Sequence, residues 1–305
     1  MPEVSVVIAV YNQARWVGEA IASVRTQTFA DWELVVVDDG STDATSEVVA
    51  RHADDARIRC LRQPHAERAA ARNRGIAATA APLVAFLDAD DWWLPTKLER
   101  QVAALAAAPE AAFCYTPARF VDEDGRPLPL RKPVHAMAGD VFGKLLRANV
   151  VILASVVARR RCLEAVGAFD AGLPAFGCED WDLWLRLARR WPVAVVDEEL
   201  TLYRRHSTNT GWEQVLASAL AVIDKTFADP ATARRAGLSR AASRALHFWT
   251  NAAALAADEP AAALRLVPRA LGACPPAVVS RPAAATLAGL LLPQAAVRAL
   301  RRLAE

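Results

Sequence analysis

The chain has 305 residues, which is enough for one large domain with a sizeable core or for one domain with an appendage. Hydrophobic residues make up 54% and charged residues 23%, a balance typical of globular proteins and tilted toward alanine-rich helices. The net charge of +2, from 36 basic and 34 acidic residues, gives no indication of a nucleic-acid partner.

Strands and helices are predicted to alternate through the first part of the chain. In chain order they are a strand at Val4–Val10, a helix across Trp16–Val24, a strand at Leu34–Val37, a helix from about Thr45, a strand at Ile58–Leu61, a helix at Glu67–Thr79 and a strand at Val84–Leu87. Asn12 precedes the first helix and is expected to cap it. This alternation is typical of an α/β fold with a mostly parallel, Rossmann-like central sheet flanked by helices.

Two of the predicted strands end in acidic residues. Asp38 and Asp39 end the second strand, and Asp88, Asp90 and Asp91 follow the fourth. Open α/β sheets bind ligands at the carboxyl edge of their strands, so we expect these acids to share one site. Two aspartates one residue apart offer the hard oxygen ligands that Mg²⁺ and Mn²⁺ prefer. A solvated turn is the alternative interpretation of a lone D-x-D motif, because the motif is short.

The sequence lacks the phosphate-binding motifs of other nucleotide-binding folds. No G-x-G-x-x-G follows the first predicted strand, and no G-K-[ST] loop occurs anywhere in the chain. A nucleotide at this sheet edge would therefore have to be held by carboxylates and a metal ion.

The C-terminal part of the chain has a different composition. Residues 213–305 are rich in alanine and arginine and are punctuated by prolines, which predicts a helical appendage that serves packing, homodimer formation or membrane contact. From Asp229 onward there are ten arginines and four acids, a net charge of +6. Such a tail can face anionic lipid headgroups. A soluble helix with arginine on its solvated face is the alternative.

Cysteine usage and hydropathy predict a cytoplasmic protein. The five cysteines are scattered, odd in number and without a C-x-x-C pair, which favours a reducing compartment. No basic stretch precedes the first strand, so no secretory signal is expected. No run reaches the roughly 18 apolar residues of a membrane span. We expect the protein in the cytoplasm, with peripheral contact at the inner face of the cell membrane through the basic tail.

Seven short motifs stand in a fixed order along residues 3–212. They are V-S-V-V-I-A-V-Y-N at Val4–Asn12, V-V-V-D-D-G-S-T-D at Val35–Asp43, A-R-N-R-G-I at Ala71–Ile76, F-L-D-A-D-D at Phe86–Asp91, V-G-A-F-D at Val166–Asp170, G-C-E-D-W-D-L-W-L-R-L at Gly177–Leu187 and L-Y-R-R-H at Leu202–His206. Together they resemble the signatures of family-2 glycosyltransferases, which are inverting, metal-dependent enzymes of the GT-A fold that use nucleotide-diphosphate sugars.

The resemblance implies a division of the chain. A GT-A domain would cover residues 1–212, with a nucleotide-sugar half at 1–115 and an acceptor and catalytic half at 116–212. The helical appendage would follow at 213–305.

The resemblance also implies where the nucleotide binds. Asp39 would accept a hydrogen bond from the base, and the N3–H of uracil suits a carboxylate well. The backbone at Ala9 and Val10 and the side chain of Asn12 would line the same pocket.

Further residues are implied around the ribose and the diphosphate. Asp88, with Ala89 beside it, would contact the ribose, and Arg72 would lie near the nucleotide. Asp90 would coordinate Mn²⁺ or Mg²⁺, and His206 would lie near the same ion. The alternatives are a surface charge on a helix for Arg72 and a structural role for His206.

By the same resemblance Asp180 is the catalytic base, and Glu179 positions the acceptor or a loop. Inverting transfer is a single displacement, in which the acceptor hydroxyl must lose its proton as it attacks. Trp181, Trp184 and Leu185 recur at helical spacing, which places Asp180 in a first helical turn. At that positive end of the helix dipole we expect the carboxylate to stay ionised. A purely capping role is the alternative.

The sequence departs from the family's pattern at two places. The family usually has proline where Ala9 stands and Asn-x-Gly where His65-Ala66-Glu67 stands. Ala9 is expected to be harmless, because the backbone makes the contact there. Glu67 replaces a glycine near the nucleotide, which affects the loop geometry and the choice of base. The Gln/Arg-x-x-Arg-Trp signature of processive synthases is absent after Asp180, so we expect transfer of one sugar.

The expected function is transfer of a sugar from a nucleotide-diphosphate sugar, with UDP favoured, to a hydroxyl of a saccharide or lipid-linked acceptor. A nucleotidyltransferase that makes nucleotide sugars is one alternative, against which Asp180 and the missing glycine-rich loop argue. A catalytically silent nucleotide-binding module of the same fold is another. The intact set of Asp39, Asp88, Asp90 and Asp180 argues against that module.

Overall fold

The computed structural model describes residues 1–128, 136–173, 177–207, 210–255 and 260–274. The strands are β1 (Val4–Val10), β2 (Trp32–Asp38), β3 (Ile58–Arg62), β4 (Leu83–Asp88), β5 (Trp92–Trp93), β6 (Phe113–Tyr115), β7 (Ala118–Val121), β8 (Val157–Arg159), β9 (Ala194–Val195) and β10 (Thr201–Arg204). The helices are α1 (Val17–Arg25), α2 (Thr45–Ala50), α3 (Glu67–Ala77), α4 (Lys97–Ala107), α5 (Phe142–Leu145), α6 (Arg160–Val166), α7 (Glu179–Ala188), α8 (Trp212–Thr226), α9 (Ala231–Ala236), α10 (Arg240–Leu255) and α11 (Pro260–Ala273).

Within the described residues, the main sheet has seven strands in the order β3-β2-β1-β4-β8-β6-β9. Strand β1 is parallel to both β2 and β4, with Val10 opposite Asp38 and Ala9 opposite Asp88. Strand β8 runs antiparallel to β4 and β6. The carboxyl ends of β1, β2 and β4 therefore meet at one edge of the sheet, where open α/β sheets bind ligands. The predicted α/β fold with a mostly parallel sheet is confirmed.

The core forms on both faces of the parallel strands. Ile8 and Val36 are fully buried and belong to a large apolar cluster that also contains Ile21 of α1. On the other face, Val37 and Ala71 of α3 belong to a smaller cluster. Strands that are covered on both faces need nearly continuous apolar runs, which is the pattern that predicted them.

The chain between β1 and α1 differs from the prediction. Helix α1 begins at Val17, and its N-cap position, Trp16, makes no side-chain capping bond. The prediction that Asn12 caps this helix is therefore wrong. Asn12 adopts a left-handed backbone with φ 51°, and its Oδ1 accepts a hydrogen bond from the Thr42 amide at 2.8 Å. Its side chain thus ties the end of β1 to the loop after β2.

A small sheet brings a late segment of the chain to the acidic turn. Among the described residues this sheet has three strands in the order β5-β10-β7. Strand β10 is antiparallel to β5, with Thr201 opposite Trp93 and Leu202 opposite Trp92. Because β5 directly follows the acidic turn, the pairing places the segment after β10, which carries His206, next to that turn.

The described residues form two compact units. The first comprises those within 1–141, 150–175 and 179–209, and it contains both sheets. The second comprises those within 142–149, 176–178 and 210–305. In the second unit α8, α10 and α11 pack around a cluster that includes Trp249. The predicted domain boundary after residue 212 stays a prediction. None of the described helices combines the length and the apolar character that crossing a membrane requires.

Candidate active site

Asp39 is buried at the end of β2 and is fixed by the loop that follows β3. Its Oδ1 accepts hydrogen bonds from Gln63 Nε2 at 2.6 Å and from the Ala66 amide at 2.9 Å. Its Oδ2 lies 2.9 Å from His65 Nδ1. Gly40 has φ +80°, and a Cβ there would lie 2.9 Å from the His65 nitrogen. The D-D-G-S turn therefore needs glycine at this position, and the loop is packed directly against it.

The end of β1 lies beside Asp39. The Val10 carbonyl accepts a hydrogen bond from the Asp39 amide at 2.8 Å. The Asn12 amide donates to Ser41 Oγ at 3.0 Å. The four residues predicted to surround the base, Ala9, Val10, Asn12 and Asp39, thus lie along one stretch of the sheet edge. The nucleotide-binding roles of these residues stay a prediction.

The D-A-D-D turn after β4 crowds carboxyl groups together. Ala89 is buried between Asp88 and Asp90, whose side chains are 26% and 20% exposed. Burial raises the pKa of Asp88. Burial, followed by the charges of Asp90 and Asp88, raises the pKa of Asp91 well above its usual range. A divalent cation would offset this crowding of negative charge.

His206 lies against the same turn. Its Nε2 is 2.8 Å from Asp90 Oδ2, and its ring stacks on Trp16 with the centroids 4.4 Å apart. The two predicted metal ligands are therefore brought together. In the described part of the chain, no three His, Cys, Asp or Glu side chains are grouped so that they alone could hold a metal. A two-residue site suits Mg²⁺ or Mn²⁺, which take remaining ligands from phosphates and water.

Arg204 binds the acidic turn through both its backbone and its side chain. Its amide donates to Asp91 Oδ1 at 2.9 Å, and its Nε donates to the Asp90 carbonyl at 2.9 Å. The buried guanidinium lies 4.5 Å from the Trp92 ring centroid and pairs with Glu19. Sequence reasoning missed this residue. The signal that could have found it is its position in the L-Y-R-R-H motif.

Arg72 connects the acidic turn to the start of α7. Its guanidinium is 7% exposed, its Nη2 lies 2.8 Å from Asp88 Oδ1, and its Nη1 pairs with Glu179 Oε1. The surface-charge interpretation of Arg72 is therefore wrong. Burial opposes the ionised form of Glu179, but Arg72 and then Arg68 lower its pKa. Glu179 thus remains an ionised partner of Arg72.

Asp180 lies in the first turn of α7, where it was predicted. Its Oδ1 accepts a hydrogen bond from the Trp181 amide at 2.7 Å. The expectation that the helix end keeps this carboxylate ionised is wrong. Burial and then the charge of Glu179 raise its pKa to about 7, and Arg72 opposes this only in part. A carboxyl group that titrates near neutral pH is suited to general acid–base work.

The comparison with known protein families decides the assignment. Residues 5–158, just over half of the chain, match Glycosyl transferase family 2. The chain belongs to this family. The recognition made from the seven motifs is confirmed.

Relatives of this family-2 chain include named glycosyltransferases. An uncharacterized glycosyltransferase of Rickettsia felis is 32% identical over 211 residues, which cover 68% of this chain and 34% of the relative. The chain thus spans about a third of the length of that relative. The UDP-Glc:alpha-D-GlcNAc-diphosphoundecaprenol beta-1,3-glucosyltransferase WfaP of Escherichia coli is 27% identical over 213 residues, 68% of this chain and 79% of WfaP.

Solved structures resemble the family-2 chain over nearly its whole length. Residues 1–349 of TarS from S. aureus, in complex with UDP-GlcNAc, have a TM-score of 0.63 at 16% identity, and the match covers 99% of this chain and 92% of that 1–349 chain. The mannosyltransferase PcManGT from Pyrobaculum calidifontis, in complex with GDP-Man and Mn²⁺, has a TM-score of 0.62 at 20% identity. The match covers 99% of this chain and 87% of the PcManGT chain. At these identities the likeness concerns the fold, and it confirms the GT-A fold.

Proposed function

We propose that the chain transfers one sugar from a UDP-sugar to a hydroxyl of a saccharide or lipid-linked acceptor, with inversion at the anomeric carbon. Asp180 serves as the base. The observation that carries the proposal is the bridge by Arg72, which joins Asp88 at the end of β4 to Glu179, next to Asp180. A nucleotide held at the sheet edge and a base at the start of α7 would share one charged network.

The chemistry follows from this arrangement. Asp180 takes the proton of the acceptor hydroxyl while the oxygen attacks the anomeric carbon on the face opposite the diphosphate. The new carbon–oxygen bond forms as the bond to the phosphate oxygen breaks, and the electron pair leaves with the diphosphate. The pKa of Asp180 of about 7 allows it to accept a proton near neutral pH and release it afterwards.

Asp90 and His206 would hold the divalent ion. When bound, Mn²⁺ or Mg²⁺ supplies positive charge to the leaving diphosphate. The buried Asp91 Oδ2, which has no hydrogen-bond partner among the described residues, supports a cation close to this turn. The mannosyltransferase neighbour that carries Mn²⁺ supports the same choice of ion.

Asp39 recognises the base, and the backbone of Ala9 and Val10 and the side chain of Asn12 line the pocket. Asp88 and Ala89 lie at the ribose. Arg72 acts on the nucleotide through Asp88, because both arms of its guanidinium are already engaged by carboxylates.

The acceptor side lies beside Glu179. A small, open pocket beside Glu179 is lined by Glu67, Arg68 and Asp170, among others, and these charged side chains could bind hydroxyl groups of an acceptor next to the base. The E. coli relative, whose name specifies UDP-Glc and a diphosphoundecaprenol-linked acceptor, supports a UDP-sugar and a lipid-linked acceptor here.

We further propose a cytoplasmic protein whose basic tail makes peripheral contact with the inner face of the cell membrane, or mediates a homodimer. The tail residues 275–305 lie outside the described residues. Their part in either contact rests on the sequence alone.

Calorimetry with UDP-, GDP- and dTDP-sugars tests the nucleotide and metal site. Each donor is titrated in Mn²⁺ and in EDTA, on wild type and on Asp90→Ala. We expect binding of a UDP-sugar that needs Mn²⁺ and is lost in Asp90→Ala. Failure to bind any donor in the presence of Mn²⁺ would contradict the proposal.

A second pair of variants separates binding from chemistry. Asp180→Asn should retain donor binding but lose roughly 100-fold or more in transfer rate, because it removes the base. Asp197→Asn, at an exposed aspartate, is the matched control and should behave as wild type. Undiminished transfer by Asp180→Asn would show that the base is another group.

A further inference from the structure

His65 and Glu67, the two departures of this loop from the family's pattern, lie side by side at Asp39. The His65 ring stacks on Tyr11, with the ring centroids 4.2 Å apart and the planes inclined by 27°. Its Nδ1 is 2.9 Å from Asp39 Oδ2 and 3.2 Å from the Asp39 carbonyl oxygen. Because both of these oxygens are acceptors, Nδ1 carries a proton and donates a hydrogen bond to Asp39.

This arrangement uses the same contacts that Asp39 would offer to a nucleotide base. Uracil is a flat ring that can stack on an aromatic side chain and can donate its N3–H to a carboxylate. The Oδ1 atom of Asp39 already accepts two hydrogen bonds, from Gln63 and from the Ala66 amide, so Oδ2 is the oxygen left for an incoming donor. The imidazole of His65 meets both requirements at once, through its ring face and its N–H.

The surroundings of His65 show how this side chain is held and how it could leave. Its Nε2 lies 3.4 Å from Glu67 Oε1. Glu67 has φ 71°, the left-handed backbone that a glycine adopts without strain. The backbone of His65 is packed against Gly40, whereas its side chain is 42% exposed. Rotation of the side chain toward solvent therefore needs no movement of the loop.

We propose that the side chain of His65 occupies the place of the nucleotide base, so that a base binds only when this side chain rotates away from Tyr11 and Asp39. The proposal rests on the proposed function, in which Asp39 recognises the base. His65 then determines specificity, because an incoming base must replace both its ring stack and its hydrogen bond. Uracil and thymine, which have an N3–H, can do so. Cytosine placed in the same way would turn its N3, an acceptor, toward the Asp39 carboxylate, and it can donate only after shifting to present its 4-amino group.

Calorimetric titration of UDP in Mn²⁺ tests the proposal on wild type, His65→Ala, His65→Asn and Glu67→Gln. We expect His65→Ala to bind UDP about tenfold more tightly than wild type, since one stack and one exposed hydrogen bond no longer compete. His65→Asn, which restores the family's residue, should also bind more tightly. Glu67→Gln should give a smaller gain of about twofold, because it weakens one contact of the His65 ring.

The controls separate this proposal from the function on which it rests. His52→Ala, which removes a histidine beside Arg25 in another part of the chain, should bind UDP as wild type does. CDP should not gain as UDP does in His65→Ala. Thermal unfolding of each variant verifies that it is folded. If His65→Ala does not fold, the UDP affinity of His65→Asn is compared with that of wild type instead.

Two results would overturn the proposal in different ways. If wild type binds UDP and His65→Ala binds it equally or more weakly, the His65 ring is a wall of the pocket rather than a competitor, and the proposed function still stands. If neither wild type nor His65→Ala binds UDP, GDP or dTDP in Mn²⁺, the nucleotide site itself is refuted, and this proposal with it.

Discussion

The positively charged guanidinium of Arg72 lies near three carboxyl groups, those of Asp88, Glu179 and Asp180. Burial raises the pKa of Asp180 to about 7, and the charge of Arg72 keeps that pKa from rising further. A carboxyl base works only in its deprotonated form, so its contribution is lost as the pH falls through this pKa. The proposed activity should therefore decline below about pH 7.

Replacing Arg72 tests this link. For Arg72→Met we expect the acid limb of the pH profile of kcat/KM to move upward by about one pH unit or more, because removing the cation raises the pKa of Asp180. Arg72→Lys retains the charge and should move it less. Arg51→Met, at an exposed arginine, is the control. An unchanged profile with a uniformly lower rate would contradict the electrostatic role.

Lys97 is another buried basic residue, and unlike Arg72 it has no ionic partner among the described residues. Its Nζ lies 3.9 Å from the Trp93 ring centroid and has no hydrogen-bond partner among the described residues. Burial lowers its pKa to about 7. Between about pH 7 and pH 10.4 the lysine is therefore protonated in the unfolded chain but largely neutral in the folded chain. This difference in proton binding favours the unfolded state and lowers the free energy of unfolding.

We expect Lys97→Met to raise the free energy of unfolding at pH 7 by about 4 kcal/mol, because it removes this cost while filling a similar volume. The gain should shrink as the pH rises toward about 10.4, where the unfolded lysine also loses its proton. Urea unfolding at pH 7 and pH 9.5 measures the difference. Lys144→Met, at an exposed lysine, should show no such pH-dependent gain. Equal stability of Lys97→Met and wild type at pH 7 would contradict this account.

At the scale of elements, helix α3 approaches strand β1 closely at Gly75. A Cβ at this position would collide with Val7 Cγ1 and would lie 3.4 Å from Val37 Cγ2. Valine has a stiff branched side chain, so neither neighbour can move aside easily. Helix α3 also carries Arg72, and the close approach therefore sets the distance between that guanidinium and the sheet edge.

Gly75→Ala should lower the free energy of unfolding by about 1–3 kcal/mol, the usual cost of overpacking a core. Gly272→Ala is the matched change in another helix, at a glycine where a Cβ would meet nothing within 4 Å. That variant should be neutral or slightly more stable, because alanine favours a helix over glycine. Thermal unfolding of both variants is the measurement. A Gly75→Ala protein that is as stable as wild type would show that α3 can move away from β1.

At the scale of the whole molecule, the second unit is not one continuous segment of chain. It includes α5, whose Phe142 is fully buried, and Leu146, which directly follows α5 and is also fully buried. Phe142 lies beside Arg235 of α9, and the carbonyl of Leu146 accepts a hydrogen bond from Ser243 Oγ of α10 at 2.9 Å. The apolar residues near 142–146 therefore depend for cover on helices that come almost a hundred residues later in the chain.

A chain shortened to residues 1–209 should consequently expose Phe142 and Leu146. We expect stronger binding of a hydrophobic dye and a lower melting temperature than for the full chain. Phe142→Ser in the shortened chain should reduce the dye binding in part. A shortened chain that binds no dye and melts at the temperature of the full chain would show that α5 needs no such cover.

The sheet is predictable from sequence because buried parallel strands require apolar runs such as Val4–Val10. The edge that carries the site is predictable because acids end those strands. Which acid serves the site is harder to predict, since successive side chains of a strand point to opposite faces. Asp38 and Asp39 look alike in sequence, yet Asp38 is bound by the Ser41 amide and by Ser46 and holds the loop.

The position of Asp180 could be predicted from the local sequence, but its pKa could not. The position of Asp180 in a helical first turn follows from the spacing of apolar residues, and it was predicted correctly. Its pKa depends on burial and on Arg72, which lies more than a hundred residues earlier in the chain. The contact between His65 and Asp39 is likewise a tertiary contact. The departure from the family's pattern at His65 marks an unusual residue in the sequence, but it does not predict that this residue contacts Asp39.

The contacts of Arg204 have a consequence for kinetics. The acidic turn is held by hydrogen bonds to the Asp90 carbonyl and to Asp91, both from one buried residue, before any ion is considered. A turn that is already ordered has no folding step to complete when a cation arrives. The rate of ion entry should then follow the speed at which each aqueous ion sheds water, and the choice between Mg²⁺ and Mn²⁺ should follow the ligand preferences of the ions. Exchange of one ion for the other would leave the backbone where it was.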